Sequence, residues 1–465
     1  MTAFLPRAFR ALAPVAILAA GLVAGAPAFA IDIQRVVSPG GIEAWLVAEN
    51  SLPIVSLAFS FTGGSAQDPA GKGGTANILS AMLDEGAGDL DGPAFQAILD
   101  NDSIRLGFDT SRESISGSVR TLTVNQDEAF RLLKLALTAP HFDKEPLERV
   151  RAQVIANLKR AQKDPNSQAG EAFSKAAFGD HPYGRPSAGT LENVPTITPD
   201  DLRAMLKNTM TRGNLKVAAV GAIDAKQLAT VLDQVFGTLP AKANLVAVPD
   251  VVMGKGSRLD FAAPVPQANI RFGNAGLLRK DPDFYAATVA NYIFGGGAFD
   301  SRLYTEIREK RGYAYSVSTG LTTYDHSSAM VGGTATRADR AEETLAIIKL
   351  EMKRFVGEGA TQKELDDAKS FLIGNYALRF TDSGTISRQL LAIQQDNLGI
   401  DYINKRNGLI AAVTLADVNR VAKRIYDPDN LIITMVGASA TPVAGAPPVP
   451  AAQPVGAPAG GGGLR

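Results

Sequence analysis

The hydrophobic positions follow two periods along the chain, and the period changes from two to about 3.6 residues within each half. In the first half, residues 54–61 and 115–119 alternate between apolar and polar side chains, which predicts β-strands with one buried face. Helical spacing follows, as in residues 147–158. Strands followed by helices favour mainly antiparallel sheets with helices on one face, and therefore an α+β fold.

The chain contains an internal repeat. Residues 197–222, ITPDDLRAMLKNTMTRGNLKVAAVGA, align without gaps to residues 413–438, VTLADVNRVAKRIYDPDNLIITMVGA. In both copies a Thr begins an amphipathic helix, and an Asn-Leu pair leads into an apolar strand that ends in Val-Gly. Residues 147–158 and 365–376 form a second, weaker match between helices. The repeat predicts two homologous domains.

Length and composition agree with two domains of roughly 200 residues each, because the chain has 465 residues and 45% of them are hydrophobic. We predict an N-terminal domain in residues 31–240, a linker in residues 241–257 and a C-terminal domain in residues 258–438. The tail, residues 439–465, is rich in Ala, Pro and Gly. We expect the tail to be extended or disordered, because this composition cannot bury a core.

The first thirty residues have the pattern of a secretory signal peptide. Arg7 and Arg10 precede an apolar stretch in residues 11–24, and the Ala-Phe-Ala sequence of residues 28–30 provides a cleavage site before Ile31. We therefore expect an exported, periplasmic protein with no stable membrane span, because the apolar stretch is short and rich in small residues. An uncleaved membrane anchor is the alternative.

Charge and cysteine content exclude several classes of function. The chain has 47 basic and 47 acidic residues, and removal of Arg7 and Arg10 leaves 45 against 47, a formal charge of −2. This balance argues against nucleic acid as a partner. Cysteine is absent, which excludes disulfides, thiolate metal ligands and a cysteine nucleophile.

Residues 301–317, SRLYTEIREKRGYAYSV, have the pattern of a short helix followed by a strand. Asp300 or Ser301 can cap the helix, and Gly312 is well placed to end it. A Gly-rich sequence, Phe294-Gly295-Gly296-Gly297, precedes the helix but lacks the Gly-Lys-Ser/Thr of a phosphate-binding loop. We expect these glycines to form a flexible turn.

The strand that follows Gly312 places a tyrosine near the helix. Alternation predicts that Tyr313, Tyr315 and Val317 share one face, so Tyr315 lies near the end of the helix that carries Arg308. A guanidinium and a phenol hydroxyl in this arrangement can donate hydrogen bonds to a peptide carbonyl and to the oxyanion that develops when water attacks it. The structural alternative is an Arg stabilised by the helix C-terminal dipole beside a half-buried Tyr.

Arg308 and Tyr315, together with the sequence GGSAQDPAGKGGTANILSAML in residues 63–83, resemble elements of the pitrilysin and mitochondrial processing peptidase family of zinc peptidases. The resemblance extends from residue 33 to about residue 437. It implies two domains with helices on one face of each sheet, which form half of a clam-shell chamber. It also implies that Arg308 and Tyr315 contact bound peptide, and that the glycine segment (Gly295, Gly296 and Gly297) borders the substrate chamber.

The zinc motif of that family, H-x-x-E-H, is missing. In the register of the resemblance, Asn77, Ser80 and Ala81 occupy its His, Glu and His positions, and Asn157 occupies the position of the remaining Glu ligand. Zinc binding needs imidazoles and carboxylates, and catalysis needs a general base, so we expect no metal in this chain.

The remaining histidines, His141, His181 and His326, are far apart in the sequence and lack the spacing of metal ligands. We interpret them as loop or surface residues.

These observations favour the metal-free subunit of an exported heterodimeric metallopeptidase that is inactive alone. Zinc is then expected in a homologous partner that carries H-x-x-E-H, while Arg308 and Tyr315 orient the peptide substrate and stabilise developing charge. The alternative is a catalytically inactive peptide-binding or scaffold protein of the same fold. A self-sufficient hydrolase with a new site has no support from the residues.

Overall fold

A computed structural model describes residues 31–437, so the predicted signal peptide (1–30) and the predicted tail (439–465) lie outside the described residues. The described chain has two α+β domains with mainly antiparallel sheets, which confirms the fold class expected from the sequence. Between residues 31 and 437, no helix is both long enough and apolar enough to cross a membrane.

The N-terminal domain is built on a six-stranded sheet. Its strands, including a short separate hairpin of β4 and β5, are β1 Gln34–Val37, β2 Glu43–Ala48, β3 Ile54–Thr62, β4 Gly86–Ala87, β5 Leu90–Asp91, β6 Arg105–Thr110, β7 Ser114–Leu122 and β8 Leu215–Gly221. Its helices are α1 Thr75–Met82, α2 Gly92–Asn101, α3 Gln126–Thr138, α4 Lys144–Ala161, α5 Pro165–Phe178, α6 Pro199–Thr209 and α7 Ala225–Phe236. The strand order is β1-β2-β8-β3-β7-β6, and only β2 and β8 pair in parallel.

The C-terminal domain is built on a five-stranded sheet. Its strands are β9 Arg258–Phe261, β10 Gln267–Ala275, β11 Ala314–Thr323, β12 Ser328–Arg337 and β13 Ile432–Val436. Its α-helices are α8 Phe284–Asn291, α9 Ala341–Glu358, α10 Gln362–Gly374, α11 Ser383–Gln395, α12 Tyr402–Ala411 and α13 Leu415–Ile425. The strand order is β11-β12-β10-β13-β9, and only β13 and β9 pair in parallel.

The internal repeat corresponds to equivalent positions in the two sheets. Thr198 caps α6 and Thr414 caps α13, each in a capping box with an Asp three residues later. The strand that follows each helix, β8 or β13, lies between one antiparallel and one parallel neighbour. The predicted Thr-initiated helix and apolar strand are therefore confirmed in both copies.

The two faces of the N-terminal sheet have different partners. On β8, Val217 and Ala219 join the core formed with the helices of the same domain, whereas Ala218 and Val220 point to the opposite face. That opposite face packs against α11, which belongs to the C-terminal domain. Alternation along the strand thus supplies two apolar surfaces, one for each domain.

The exchange of helices is reciprocal. Helix α5 of the N-terminal domain packs against β13 and β10 of the C-terminal sheet, where Phe173 lies next to Gly273. Residues 241–257 form neither helix nor strand and cross between the domains. The Val246 backbone bonds the side chain of Gln67 through both its N–H (2.7 Å) and its carbonyl (2.9 Å). Gly254 N–H donates to Ala177 O (2.8 Å).

Candidate functional site

The segment that carries Arg308 is a π-helical turn, Tyr304–Glu309. The wider winding is visible in the hydrogen bond from Lys310 N–H to Thr305 O, 3.0 Å long, which spans five residues instead of four. Ser301 caps the segment by accepting a hydrogen bond from Tyr304 N–H at 3.4 Å. The predicted short helix and its Ser cap are present, but the helix type is different.

Gly312 ends this turn, as predicted, with a φ of +64°. Gly312 N–H donates to Arg308 O (3.0 Å), and Tyr313 N–H donates to Ile307 O (3.0 Å). These bonds satisfy the last carbonyls of the turn. They also fix the direction in which the chain enters β11.

The prediction that Tyr313, Tyr315 and Val317 share one face is wrong. On β11, Ala314 pairs with Thr336 while Val317 pairs with Thr334, so β11 contains one extra residue at this point. This β-bulge breaks the alternation. As a result, Val317 is buried but Tyr315 is 83% exposed.

The bulge nevertheless brings the two predicted side chains together. The Arg308 guanidinium carbon lies 5.1 Å from the centroid of the Tyr315 ring, within the range of a cation–π contact. Arg308 is half-buried. The alternative of a half-buried structural Tyr therefore does not describe this site, because most of the ring contacts solvent.

The glycine segment is not the flexible turn expected from the sequence. Gly295 and Gly296 belong to a second π-helical turn, Tyr292–Gly296, which directly extends α8. A Cβ at Gly295 would lie 2.6 Å from Thr319 Oγ1, so the glycine permits close approach to β11. The turn is held there because Thr319 Oγ1 donates to Asn291 Oδ1 (2.8 Å) and Asn291 Nδ2 donates to Thr319 O (3.2 Å).

The other two glycines are also explained by close packing. A Cβ at Gly296 would lie 2.5 Å from Asn291 Nδ2, and a Cβ at Gly297 would lie 2.7 Å from Tyr292 O. Close packing thus accounts for all three glycines: Gly295 lies against Thr319 of β11, and Gly296 and Gly297 lie against α8 and its extension. A role in contacting peptide stays a prediction.

The positions of the degenerate zinc motif lie on α1 and α4, which pack against each other. On α1, Ser80 is buried and its hydroxyl donates to Asn77 O at 2.9 Å, while Ala81 carries no donor atom. On α4, Asn157 is exposed, and its Oδ1 accepts hydrogen bonds from Gln153 Nε2 (3.0 Å) and from the Arg160 guanidinium. This set of side chains does not fit zinc, because it contains neither imidazole nor carboxylate.

Within residues 31–437, no three His, Asp or Glu side chains are placed to hold a metal ion. The three histidines lie in separate loops. Their ring nitrogens bond to Gly88 O (His141, 2.8 Å), Pro249 O (His181, 2.9 Å) and Asp250 Oδ1 (His326, 2.9 Å). Their interpretation as loop residues is confirmed.

Sequence reasoning missed the residue that orients α1. The Asp68 carboxylate accepts hydrogen bonds from Gly74 N–H (2.7 Å) and Ala76 N–H (2.8 Å) at the start of the helix. Burial raises the pKa of Asp68 to about 6, although these two hydrogen bonds act in the opposite direction. A capping side chain seven residues before the first residue of the helix has no simple sequence signature.

Sequence reasoning also missed a cavity of about 490 Å³ in the C-terminal domain, lined by Arg279, Arg379 and Arg406 together with several tyrosines. Residues from four helices meet there, and no short motif connects them. In the sequence, the cavity is marked only by arginines on amphipathic segments, and arginines in such segments are common on exposed surfaces.

The fold defines a protein with the architecture of a zinc peptidase, and the positions predicted for its metal ligands carry Asn, Ser and Ala. Residues 45–191 match the family model "Insulinase (Peptidase family M16)", and residues 196–372 match "Peptidase M16 inactive domain". A protein of Helicobacter pylori named "Non-peptidase homolog YmxG" is 30% identical over 73% of this chain and 78% of its own length. The chain belongs to the M16 peptidase family, as its residues predicted.

Two further relatives agree with this assignment. The "Uncharacterized zinc protease YmxG" of Bacillus subtilis is 25% identical over 85% of this chain and 96% of its own length. The crystal structure of a peptidase M16 inactive domain from Pseudomonas fluorescens superimposes with a TM-score of 0.82 at 27% identity. The similarity covers 88% of this chain and 98% of that one.

Proposed function

We propose that this chain is the metal-free subunit of an exported, two-subunit M16 peptidase. A homologous partner with an intact H-x-x-E-H would provide the zinc ligands and the general base that this chain lacks. Arg308 and Tyr315 would contribute substrate binding and charge stabilisation from the opposite side of the site. The proposed export to the periplasm depends on residues 1–30, which have the pattern of a signal peptide.

The arrangement of Arg308 and Tyr315 carries this proposal. Tyr315 is 83% exposed, so its ring contributes little to the hydrophobic core. Its position is nevertheless held, because the bulge in β11 points the ring outwards and the Arg308 guanidinium packs on it. An exposed aromatic ring that is fixed in place and paired with a cation is more useful for binding than for folding.

The supporting structure is rigid. Leu303, directly before the turn that carries Arg308, and Ile307, within that turn, are fully buried in the core of the C-terminal domain. A binding group on a packed support loses little entropy when substrate arrives, which favours precise positioning. The π-helical winding of this turn agrees with the general finding that such turns occur often at functional sites.

The chemistry of the pair suits a peptide in the course of hydrolysis. The guanidinium has five N–H donors and is always charged, and the phenol provides one O–H donor. Both groups can bond to a substrate carbonyl and interact more strongly with the oxyanion that forms from it. The pair would therefore lower the barrier without any proton transfer by Arg308.

The second candidate is a non-catalytic peptide-binding or scaffold protein. The replaced ligands Asn77, Ser80, Ala81 and Asn157 favour it as much as they favour a divided enzyme. The name of the Helicobacter pylori relative describes that protein as a non-peptidase homologue. The Arg308–Tyr315 contact favours the enzyme subunit, since a scaffold has no need of an exposed cation–π pair at this place.

The two candidates differ in what happens on mixing. The mature chain would be mixed with an H-x-x-E-H homologue from the same source, and the complex would be isolated by size-exclusion chromatography and assayed with a mixture of short peptides. We expect a 1:1 complex whose peptide hydrolysis greatly exceeds that of either chain alone. A complex with no gain in hydrolysis would support the scaffold, and a zinc chain that is fully active alone would contradict the divided site.

A further inference from the structure

The cavity of about 490 Å³ in the C-terminal domain has an unusual balance of charge. It lies between α8, α10, α11 and α12, with Leu321 of β11 in its wall. Three arginines line it, Arg279, Arg379 and Arg406, but only one carboxylate, Asp396. The cavity therefore carries a formal charge of +2 while the tyrosines around it are neutral.

The least compensated of these charges is Arg406. Its side chain is buried, with the residue 8% exposed, and its Nη1 donates to Leu372 O (2.5 Å) and Asn407 Oδ1 (3.0 Å). Neither acceptor is an anion, and Arg406 forms no salt bridge to any described residue. A buried cation without an anionic partner is costly for a fold.

The neighbouring charges do not relieve this cost. Burial lowers the pKa of Arg406, and the nearby Arg379 acts in the same direction. Arg379 is exposed at the edge of the cavity and has no salt-bridge partner in residues 31–437. Asp396 is already engaged, because Arg279 Nε donates to its Oδ2 at 3.2 Å. An additional anion is the missing partner for Arg406 and Arg379.

Two of the three guanidinium groups, those of Arg279 and Arg406, pack on aromatic rings. The Arg406 guanidinium carbon lies 4.4 Å from the centroid of the Tyr376 ring, and that of Arg279 lies 4.2 Å from the centroid of Phe284. Arg279 Nη2 also donates to the Tyr402 hydroxyl at 2.9 Å. Donors that are fixed before a ligand arrives bind it with less loss of entropy.

Apolar side chains complete the walls, so the cavity suits a ligand that has an anionic group and an apolar group. Leu321, Leu372 and Ile393 line it beside the aromatic rings. Its volume is within the range of small-molecule sites, about 300–1,000 Å³. A planar guanidinium matches a planar carboxylate, and a dianion would face repulsion from Asp396.

We propose that this cavity binds the free α-carboxylate of a hydrophobic amino-acid residue. The carboxylate bonds to Arg406 and Arg379, and the hydrophobic part contacts Tyr376 and the apolar walls. The same chemistry occurs in a free N-acyl amino acid and in the C-terminal residue of a short peptide. Binding in this cavity does not involve Arg308 or Tyr315, and it can be measured without peptidase activity.

Isothermal titration calorimetry on the purified mature chain tests the proposal. The probes are N-acetyl-phenylalanine, its uncharged amide, N-acetyl-glycine and inorganic phosphate. We expect saturable binding of N-acetyl-phenylalanine, with the amide and N-acetyl-glycine each weaker by roughly tenfold or more. Equal binding of the acid and the amide, or phosphate that binds as tightly as N-acetyl-phenylalanine, would overturn the assignment.

Two variants connect the binding to the cavity. Arg379→Gln changes an exposed side chain and should weaken binding of N-acetyl-phenylalanine by roughly tenfold. Arg406→Gln should weaken it at least as much if circular dichroism shows a folded chain. Arg388→Gln, an exposed change on α11 outside the cavity, is the matched control and should bind like the wild type. Wild-type affinity in Arg379→Gln would contradict the proposal.

The same titration distinguishes the two sources of the carboxylate. Ala-Ala-Phe with a free C-terminus is compared with N-acetyl-phenylalanine, and the amidated tripeptide is the control. Tighter binding of the free tripeptide assigns the site to peptide C-termini, whereas tighter binding of N-acetyl-phenylalanine assigns it to small acids. Failure of every carboxylate to bind would reject the site altogether, and would leave the function proposed for Arg308 and Tyr315 untouched.

Discussion

The exchange of helices between the domains predicts that they unfold together, and Leu390 is a suitable position for a test. Leu390 lies on α11 of the C-terminal domain, is fully buried, and packs in the same cluster as Trp45 of the N-terminal sheet. Leu390→Ala removes side-chain volume at the contact between the domains without changing any polar group. The substitution therefore weakens the contact between α11 and the N-terminal sheet, which is distant from α11 in sequence.

The expected loss of stability follows from complete burial. Leu to Ala changes at fully buried positions cost about 2–5 kcal/mol, depending on how far the surroundings relax. We expect about 3 kcal/mol here, because α11 is one packed helix and can move slightly towards the gap. Leu378→Ala is the matched control, since Leu378 is 68% exposed and should cost less than about 0.5 kcal/mol.

Trp45 makes the assay direct, because it is the single tryptophan of the chain and is 7% exposed beside α11. Urea unfolding would be followed by Trp45 fluorescence and by far-ultraviolet circular dichroism. We expect coincident transitions in the wild type, and a large shift in midpoint for Leu390→Ala by both probes. Two results would contradict unfolding of the domains as one unit. One is a loss of unfolding free energy in Leu390→Ala no larger than in Leu378→Ala. The other is a fluorescence transition in the wild type well before the circular dichroism transition.

Three further predictions concern the glycines, a buried acid and zinc. Gly295→Ala should lower the free energy of unfolding by about 1–3 kcal/mol, because its Cβ would lie 2.6 Å from Thr319 Oγ1, while Gly170→Ala, with open space around it, should not destabilise. The pKa of Asp68, about 6, lies above its usual value of 3.8, so its contribution to stability is lost as the pH rises. From pH 4 to pH 6, the free energy of unfolding of the wild type, measured in urea, should fall by about 2 kcal/mol relative to that of Asp68→Asn, and parallel profiles would contradict this. Metal analysis of the purified mature chain should find much less than one zinc per chain after mild dialysis against a chelator, whereas one retained zinc would contradict the reasoning from its ligands.

The overall fold was largely predictable because the sequence repeats itself. Thr198 and Thr414 begin equivalent helices, and the apolar strands after them occupy equivalent places in the two sheets. The exchange of α5 and α11 was not predictable from the sequence alone. The sequences of α5 and α11 do not distinguish them from the other helices. They are exchanged because each sheet has a second apolar face that must be covered, for example the face with Ala218 and Val220 on β8.

The proximity of Arg308 and Tyr315 was predictable, but the backbone geometry that produces it was not. The contact between Arg308 and Tyr315 agrees with the expectation, yet it depends on a π-helical turn and a β-bulge. Periodicity cannot show these features, because a single extra residue in a strand leaves the composition unchanged. The glycines were misinterpreted for a related reason, since the close approach of Gly295 to Thr319 joins residues that are distant in sequence.

The most direct test of the proposed function is the rate of peptide hydrolysis by the assembled complex with Arg308→Ala or Tyr315→Phe in this chain. Neither side chain contributes much to the core, so melting temperature and assembly with the zinc-bearing partner should stay near those of the wild type. Loss of a donor to the developing oxyanion should lower kcat by on the order of 100-fold. Wild-type rates for both variants in the assembled complex would contradict the assignment of Arg308 and Tyr315 as the substrate-binding pair.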